Sequence, residues 1–161
     1  NKPSDDIKSI NDGMQSSVEA LHNRVANRIS KPVEQQTKND ISILEKVDYM
    51  EGHNFEYFCA DLLTKNHFSN VEVTRGSGDQ GVDIIATRDG IKYAIQCKCY
   101  SQNIGNKAVQ EVFAGKTFYN CHVAAVLTNQ YFTSSAQALA ESNGVLLWDR
   151  DKLEKMINNM N

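Results

Sequence analysis

Residues 75 to 100, RGSGDQGVDIIATRDGIKYAIQCKCY, constrain the chain more than any other stretch, because a polar glycine-rich loop runs there into two strand-like segments joined by a turn. Ile84, Ile85 and Ala86 follow Asp83, and Tyr93, Ala94 and Ile95 lead into Gln96; such β-branched, aromatic and small residues predict two strands. The connection Thr87-Arg88-Asp89-Gly90 carries an Asp-Gly pair, a strong hairpin signal, so the strands should be antiparallel neighbours. Side chains alternate faces along a strand, which sends Gln96 and Lys98 one way and Ile95, Cys97 and Cys99 the other. Asp83, Gln96 and Lys98 should then converge at one end of the hairpin.

A carboxylate, an amide oxygen and an ammonium in that arrangement suit phosphodiester hydrolysis. A hard cation such as Mg2+, or Mn2+ as its substitute, prefers oxygen ligands, which Asp83, the Gln96 side chain and the backbone carbonyl of Cys97 can supply. The cation activates water, and Lys98 holds that water or neutralises the phosphate. The same groups also fit a salt-bridged strand pair, because structural ion pairs bring such residues together too.

The blocks GSGDQGVDII, YAIQCKCY, VQEVFAG, VLTNQYFT and GVLLWDRDKL, in that order, closely resemble the Mrr-like restriction endonucleases, a branch of the PD-(D/E)xK nuclease superfamily. The resemblance covers about residues 49 to 157. It implies a restriction-endonuclease-like fold and metal-dependent DNA cleavage, with Asp83, Gln96 and Lys98 matching the D-QxK signature. It also implies that Glu56, at the position of a first-helix glutamate, completes the metal site; the other reading of Glu56 is a solvated ion pair. Gln96 stands where the broader superfamily has an acid, leaving one negative charge fewer, for which a carboxylate elsewhere would compensate.

Net charge of -3 and 40% hydrophobic residues in 161 fit one soluble domain plus an extension. This acidity argues against a histone-like electrostatic binder, though a nuclease confines positive charge to one face. Cys59, Cys97, Cys99 and Cys121 lie in apolar surroundings and read as reduced core thiols; a zinc set of Cys97, Cys99, Cys121 and His122 is the minor alternative. No run of about 18 apolar residues and no signal-peptide pattern appears, so the expected location is cytoplasmic. The chain opens at Asn1 without Met, which reads as a piece of a longer protein whose preceding part would bear on location and specificity.

Ser4, Asp5 and Asp6 start a long amphipathic helix with Ile7, Ile10, Met14, Val18, Leu21, Val25 and Ile29 on one face, ended by Pro32. Such a narrow stripe reads as a seam between two copies of the chain, a homodimer, or as a face folded back on its own domain. Residues 33 to 47 read as a second helix or helical linker through Val33, Ile41, Leu44 and Val47. The expected division is therefore 1–47 as helical extension and 48–161 as catalytic domain. Asp48 with Glu51 looks like a capping box for a helix reaching about Asn66, whose buried face is Phe55, Phe58, Cys59, Leu62 and Leu63.

Val71 to Thr74 is the first expected strand. In the following loop Arg75 and Ser77 are candidate phosphate contacts, and Asp79 either supports the metal site or caps the turn. A helix over 106–119 should face the sheet with Val109, Val112, Phe113 and Lys116, and Gln110 beside that stripe is an auxiliary candidate for orienting Lys98 or a water. Val123 to Leu127 reads as a central strand, Thr133 to Asn143 as a helix closed by Gly144, and Val145 to Trp148 as the last strand. Asp149 then caps a terminal helix packed through Leu153, Met156 and Ile157. The fold class is α/β, a mixed sheet with helices on both faces. Two classes of function follow: a Mg2+-dependent endonuclease acting on DNA, or a catalytically silent nuclease-like module that binds DNA or scaffolds a complex.

Overall fold

The computed structural model describes residues 43–76 and 78–160. The expected N-terminal helix with its stripe, the linker up to residue 42 and Ser77 lie outside them.

Helix α1 spans Gly52–Lys65 and is followed by β1 (Ser69–Val73), β2 (Ile84–Arg88), β3 (Ile91–Lys98), α2 (Asn106–Phe118), β4 (Val123–Thr128), α3 (Ser134–Asn143), β5 (Val145–Trp148) and α4 (Arg150–Asn158). The five strands form one sheet in the order β1-β2-β3-β4-β5. β1, β2 and β3 pair antiparallel, whereas β3, β4 and β5 pair parallel, so the expected mixed sheet is present. β3 is the strand where the two patterns meet.

The Asp-Gly turn explains why β2 and β3 pair as they do. Asp89 and Gly90 both take positive φ, 52° and 77°, the backbone of a turn whose twist matches that of the strands it joins. Ile84 is thereby held opposite Ile95, and Asp83 beside the end of β3. β4 is apolar from Val123 to Leu127 because both of its faces are covered. Ala125 and Leu127 pack with Phe55, Cys59, Leu62 and Leu153 on the α1 and α4 side, and Ala124 and Val126 pack with Val109, Val112 and Ala136 on the α2 and α3 side.

Two local expectations need correction. Asp48 does not start α1: residues 43–48 are themselves helical and the N-cap is Glu51, which makes no side-chain cap bond. The Asp48 carboxylate instead accepts from Arg150 Nη1 at 2.8 Å and from Asn129 Nδ2 at 2.9 Å, closing the helical segment 43–48 onto the end of β4 and the start of α4. Leu44 and Val47, expected as apolar contacts, are buried in the core below that clasp. In α2 the buried positions are Ala108, Val109, Val112 and Gly115, not Phe113, which is 40% exposed with the Lys116 ammonium over its ring. The small residues face inward because the preceding loop presses on this helix: a Cβ at Gly115 would collide with the Gln80 carbonyl oxygen and the Val82 side chain. The terminal helix agrees with its sequence, Asp149 Oδ1 accepting from Lys152 N at 3.1 Å and Leu153, Met156 and Ile157 buried.

Candidate active site

Asp83 is fixed at both its backbone and its side chain. Its N–H donates to the Ile95 carbonyl at 2.9 Å, and its Oδ2 accepts from the Cys97 N–H at 2.6 Å. Burial pushes the carboxyl up to about 6; the Cys97 bond and the Lys98 charge oppose this, and the negative charges of Glu56 and Asp79 add to it. In an extended strand the N–H and C=O of one residue point to the same edge, so the Cys97 carbonyl faces the side where β2 has already ended. That leaves an oxygen on the side of β3 where Asp83 lies.

Gln96 and Lys98 project to the opposite face of β3 from Cys97, whose thiol joins the core against Cys59. Gln96 is only 2% exposed, and its Nε2 donates to Glu111 Oε2 at 2.9 Å. A carboxylate accepts and never donates, so the amide nitrogen must face Glu111 and Oε1 must face away. Gln96 Oε1 is buried and has no hydrogen-bond partner. The Lys98 ammonium stands 3.9 Å from the same Glu111 Oε2, and Lys107 Nζ 3.7 Å from Oε1.

An open cavity of about 490 Å³ gathers Asp79, Gly81, Asp83, Gln96, Lys98 and Glu111. Asp79 both lines it and caps the turn, its Oδ1 accepting from Gly81 N at 2.9 Å. A larger cavity of about 670 Å³ at the other end of β3, around Phe68, Tyr93 and Trp148, holds a single acidic side chain, Asp89, and lacks converging carboxylates. The cavity with the converging carboxylates is therefore the stronger candidate for chemistry.

Glu56, on α1, is mostly buried and pairs with His53 Nδ1 at 3.1 Å; its negative charge reaches Asp83 without its lining the cavity. Arg75 is exposed at the start of the loop. Gln110 is exposed and does not line the cavity, whereas Glu111, the next residue, does. Sequence reasoning passed over Glu111, although a helical wheel built on Ala108, Val109, Val112 and Gly115 puts it at the edge of the inward face and Gln110 almost diametrically outside. The minor zinc set is divided between the two ends of β3: the His122 backbone N–H bonds to the Lys92 carbonyl, while Cys99 reaches the Val47 carbonyl.

Among the described residues no three His, Cys, Asp or Glu side chains cluster closely enough to hold an ion by themselves. The oxygen set here is a mixed one, a carboxylate, an amide oxygen and a strand carbonyl, and the partnerless Gln96 Oε1 on the cavity that Asp83 also lines suits a hard cation.

Comparison with known proteins bears on this arrangement. A family profile described as restriction endonuclease, Mrr_cat, matches residues 47–157, well over half of the chain. No curated protein matches it by sequence. Among solved structures, the DNA modification-dependent restriction endonuclease AspBHI is similar over 79% of this chain and 36% of that one, at 17% identity and a TM-score of 0.57. The MspJI restriction endonuclease in complex with a 27-mer oligonucleotide is similar over 80% and 32%, at 16% identity and 0.57. The protein of unknown function AF1548 is similar over 58% and 55%, at 24% identity and 0.50. The chain thus spans between about a third and just over half of the length of these three. Their likeness establishes the restriction-endonuclease-like fold. On the family match, the chain belongs to the Mrr-like restriction endonucleases, a branch of the PD-(D/E)xK nucleases.

Proposed function

We propose that this domain hydrolyses phosphodiester bonds of DNA in a metal-dependent reaction of the restriction type. The observation that carries the reading is the meeting of Asp83, Gln96 and Lys98 on one open cavity, with Gln96 Oε1 buried and lacking a partner. Asp83, Gln96 Oε1 and the Cys97 carbonyl would hold Mg2+, with Glu56 adding negative charge from α1. When bound, such an ion lowers the pKa of a water and offsets charge developing on phosphate.

The residues of the chain do the rest. Lys98, three-quarters buried and anchored on the last position of β3, presents an ammonium to the phosphate oxygens at a fixed place. The Cys97 N–H fixes the Asp83 carboxylate, so its second oxygen stays free to bind. Arg75, exposed at the start of the loop, would contact phosphate, as would Ser77 on the sequence reading. DNA as substrate is supported by the family and by the oligonucleotide complex of MspJI. Four free cysteines, with Cys97 against Cys59, fit a reducing, cytoplasmic setting. One such site cuts one strand, and two copies paired through the Ile7 to Ile29 stripe of the extension 1–47 would bring sites to both strands.

Supercoiled plasmid with Mg2+ or Mn2+, with and without chelator, tests the reading. Wild-type protein should nick or linearise it only with metal, and Asp83→Ala and Lys98→Ala should each lower the rate by at least about a hundredfold. Cleavage that survives both chelator and Asp83→Ala would sink the assignment.

A further inference from the structure

We propose that Glu111 is a positioning residue of this site, supplying through Gln96 the negative charge that a glutamine at that position lacks; the inference rests on the metal-dependent reading above. Gln96 is neutral, yet it sits where an oxygen ligand to a dication gains most from carrying charge. Its Nε2–H bonds to the Glu111 carboxylate at 2.9 Å. An amide that donates to a carboxylate is polarised, which places more negative charge on its own oxygen, and the same bond turns that oxygen away from Glu111. The outcome in the structure is a buried Gln96 Oε1 with no donor of its own.

The same carboxylate governs a second member of the site. Glu111 Oε2 lies 3.9 Å from Lys98 Nζ, so one side chain orients both Gln96 and Lys98. A plain surface ion pair would account for Lys107, 3.7 Å from Oε1 and 88% exposed, but not for a bond to a glutamine that is 2% exposed. The backbone is also shaped to bring Glu111 in. A Cβ on Gly81 would stand 2.6 Å from the Glu111 Cβ, and Gly81 has φ of +75°, so only glycine admits α2 this close to the loop that delivers Asp83. Gly115, one turn further along α2, makes the second contact of that kind.

Relocating the charge tests the idea, with Mn2+ binding measured by calorimetry on the full chain and folding checked by thermal unfolding in chelator. Glu111→Gln keeps the shape and still accepts from Gln96, but it should weaken Mn2+ binding by about 10-fold or more. Gln96→Glu with Glu111→Gln reverses the pair and retains its hydrogen bond and total charge, and it should return affinity to within a few-fold of wild type. Wild-type affinity in Glu111→Gln, or no recovery in the reversed pair, would overturn the proposal. Asp83→Ala separates the two levels of failure. If it abolishes Mn2+ binding while Glu111→Gln does not, the positioning role alone falls; if the wild type binds no Mn2+, the metal-dependent reading falls and takes this one with it.

Discussion

Asp83 occupies a place that opposes its own ionisation, and stability should record the fact. Its folded value, about 6, lies above the ordinary 3.8, so the folded protein binds this proton more tightly than the unfolded chain does. Stability from this group is then complete below about pH 4 and is lost as pH rises through 6. At about 1.4 kcal/mol per tenfold change in proton affinity, the cost at neutral pH is roughly 3 kcal/mol. Asp83→Asn, which can still accept from the Cys97 N–H, should therefore raise metal-free stability at pH 7.5 and change little at pH 3.5. Urea titrations in chelator check this, and a loss at pH 7.5 would refute it. Asp48 behaves in the opposite sense. The Arg150 side-chain bonds hold its carboxyl below the ordinary value despite partial burial, so its contribution is present above about pH 4 and disappears in more acid solution. Asp48→Ala should cost about 1–2 kcal/mol at pH 7, from lost hydrogen bonds to a charged partner, and less in acid solution, where fluorescence-detected unfolding would compare the two proteins. Asp83 was visible in the sequence because its partners lie on the adjoining strand. Asp48 was misread as a cap because Arg150 is 102 residues away, and no local pattern reports such a bond.

At the scale of elements, the hairpin β2–β3 was legible down to its turn, since Asp89-Gly90 states a backbone requirement that few other pairs meet. Helix α2 was legible as a helix but not in its orientation. Large apolar residues seemed the natural inward set, which favoured Phe113 and brought Gln110 into view, whereas contact with the loop selects glycine and alanine and turns Glu111 toward the site. Gly115→Ala tests that contact. Its methyl would meet backbone oxygen of Gln80, which yields less readily than a side chain, so a loss of about 1–3 kcal/mol is expected. Because the displaced helix carries Glu111, cleavage should fall further than the stability loss explains under conditions where the variant is fully folded. A thermal melt paired with a plasmid assay reads both, and a stable, fully active variant would show that α2 need not approach so closely.

For the molecule as a whole, alternating strand and helix signals were enough to give the α/β class, and the parallel pairing of β3, β4 and β5 follows from helices lying between them. Among the described residues no helix is long and apolar enough to cross a membrane. The apolar stripe of residues 7 to 29 belongs to this scale as well. Light scattering on chains starting at Asn1 and at Asp40, which keeps the buried Leu44 and Val47, should show a dimer becoming a monomer, with nicking in place of double-strand cleavage; monomers in both cases would end the pairing idea.

The double role of β3 has a kinetic consequence. Its antiparallel bond to β2 closes through a two-residue turn, the sort of contact a chain finds within microseconds, and this alone assembles Asp83, Gln96 and Lys98. Its parallel bond to β4 waits for the whole crossover through α2, and Glu111 arrives with that crossover. On the proposed metal-dependent reading, the geometry that would hold an ion is completed only after the slow, entropically costly step, and a transition state that lacks it would gain nothing from metal. Mn2+ should slow unfolding in stopped-flow denaturant jumps while leaving the refolding rate unchanged; acceleration of refolding would mean that the hairpin captures the ion before the sheet is closed.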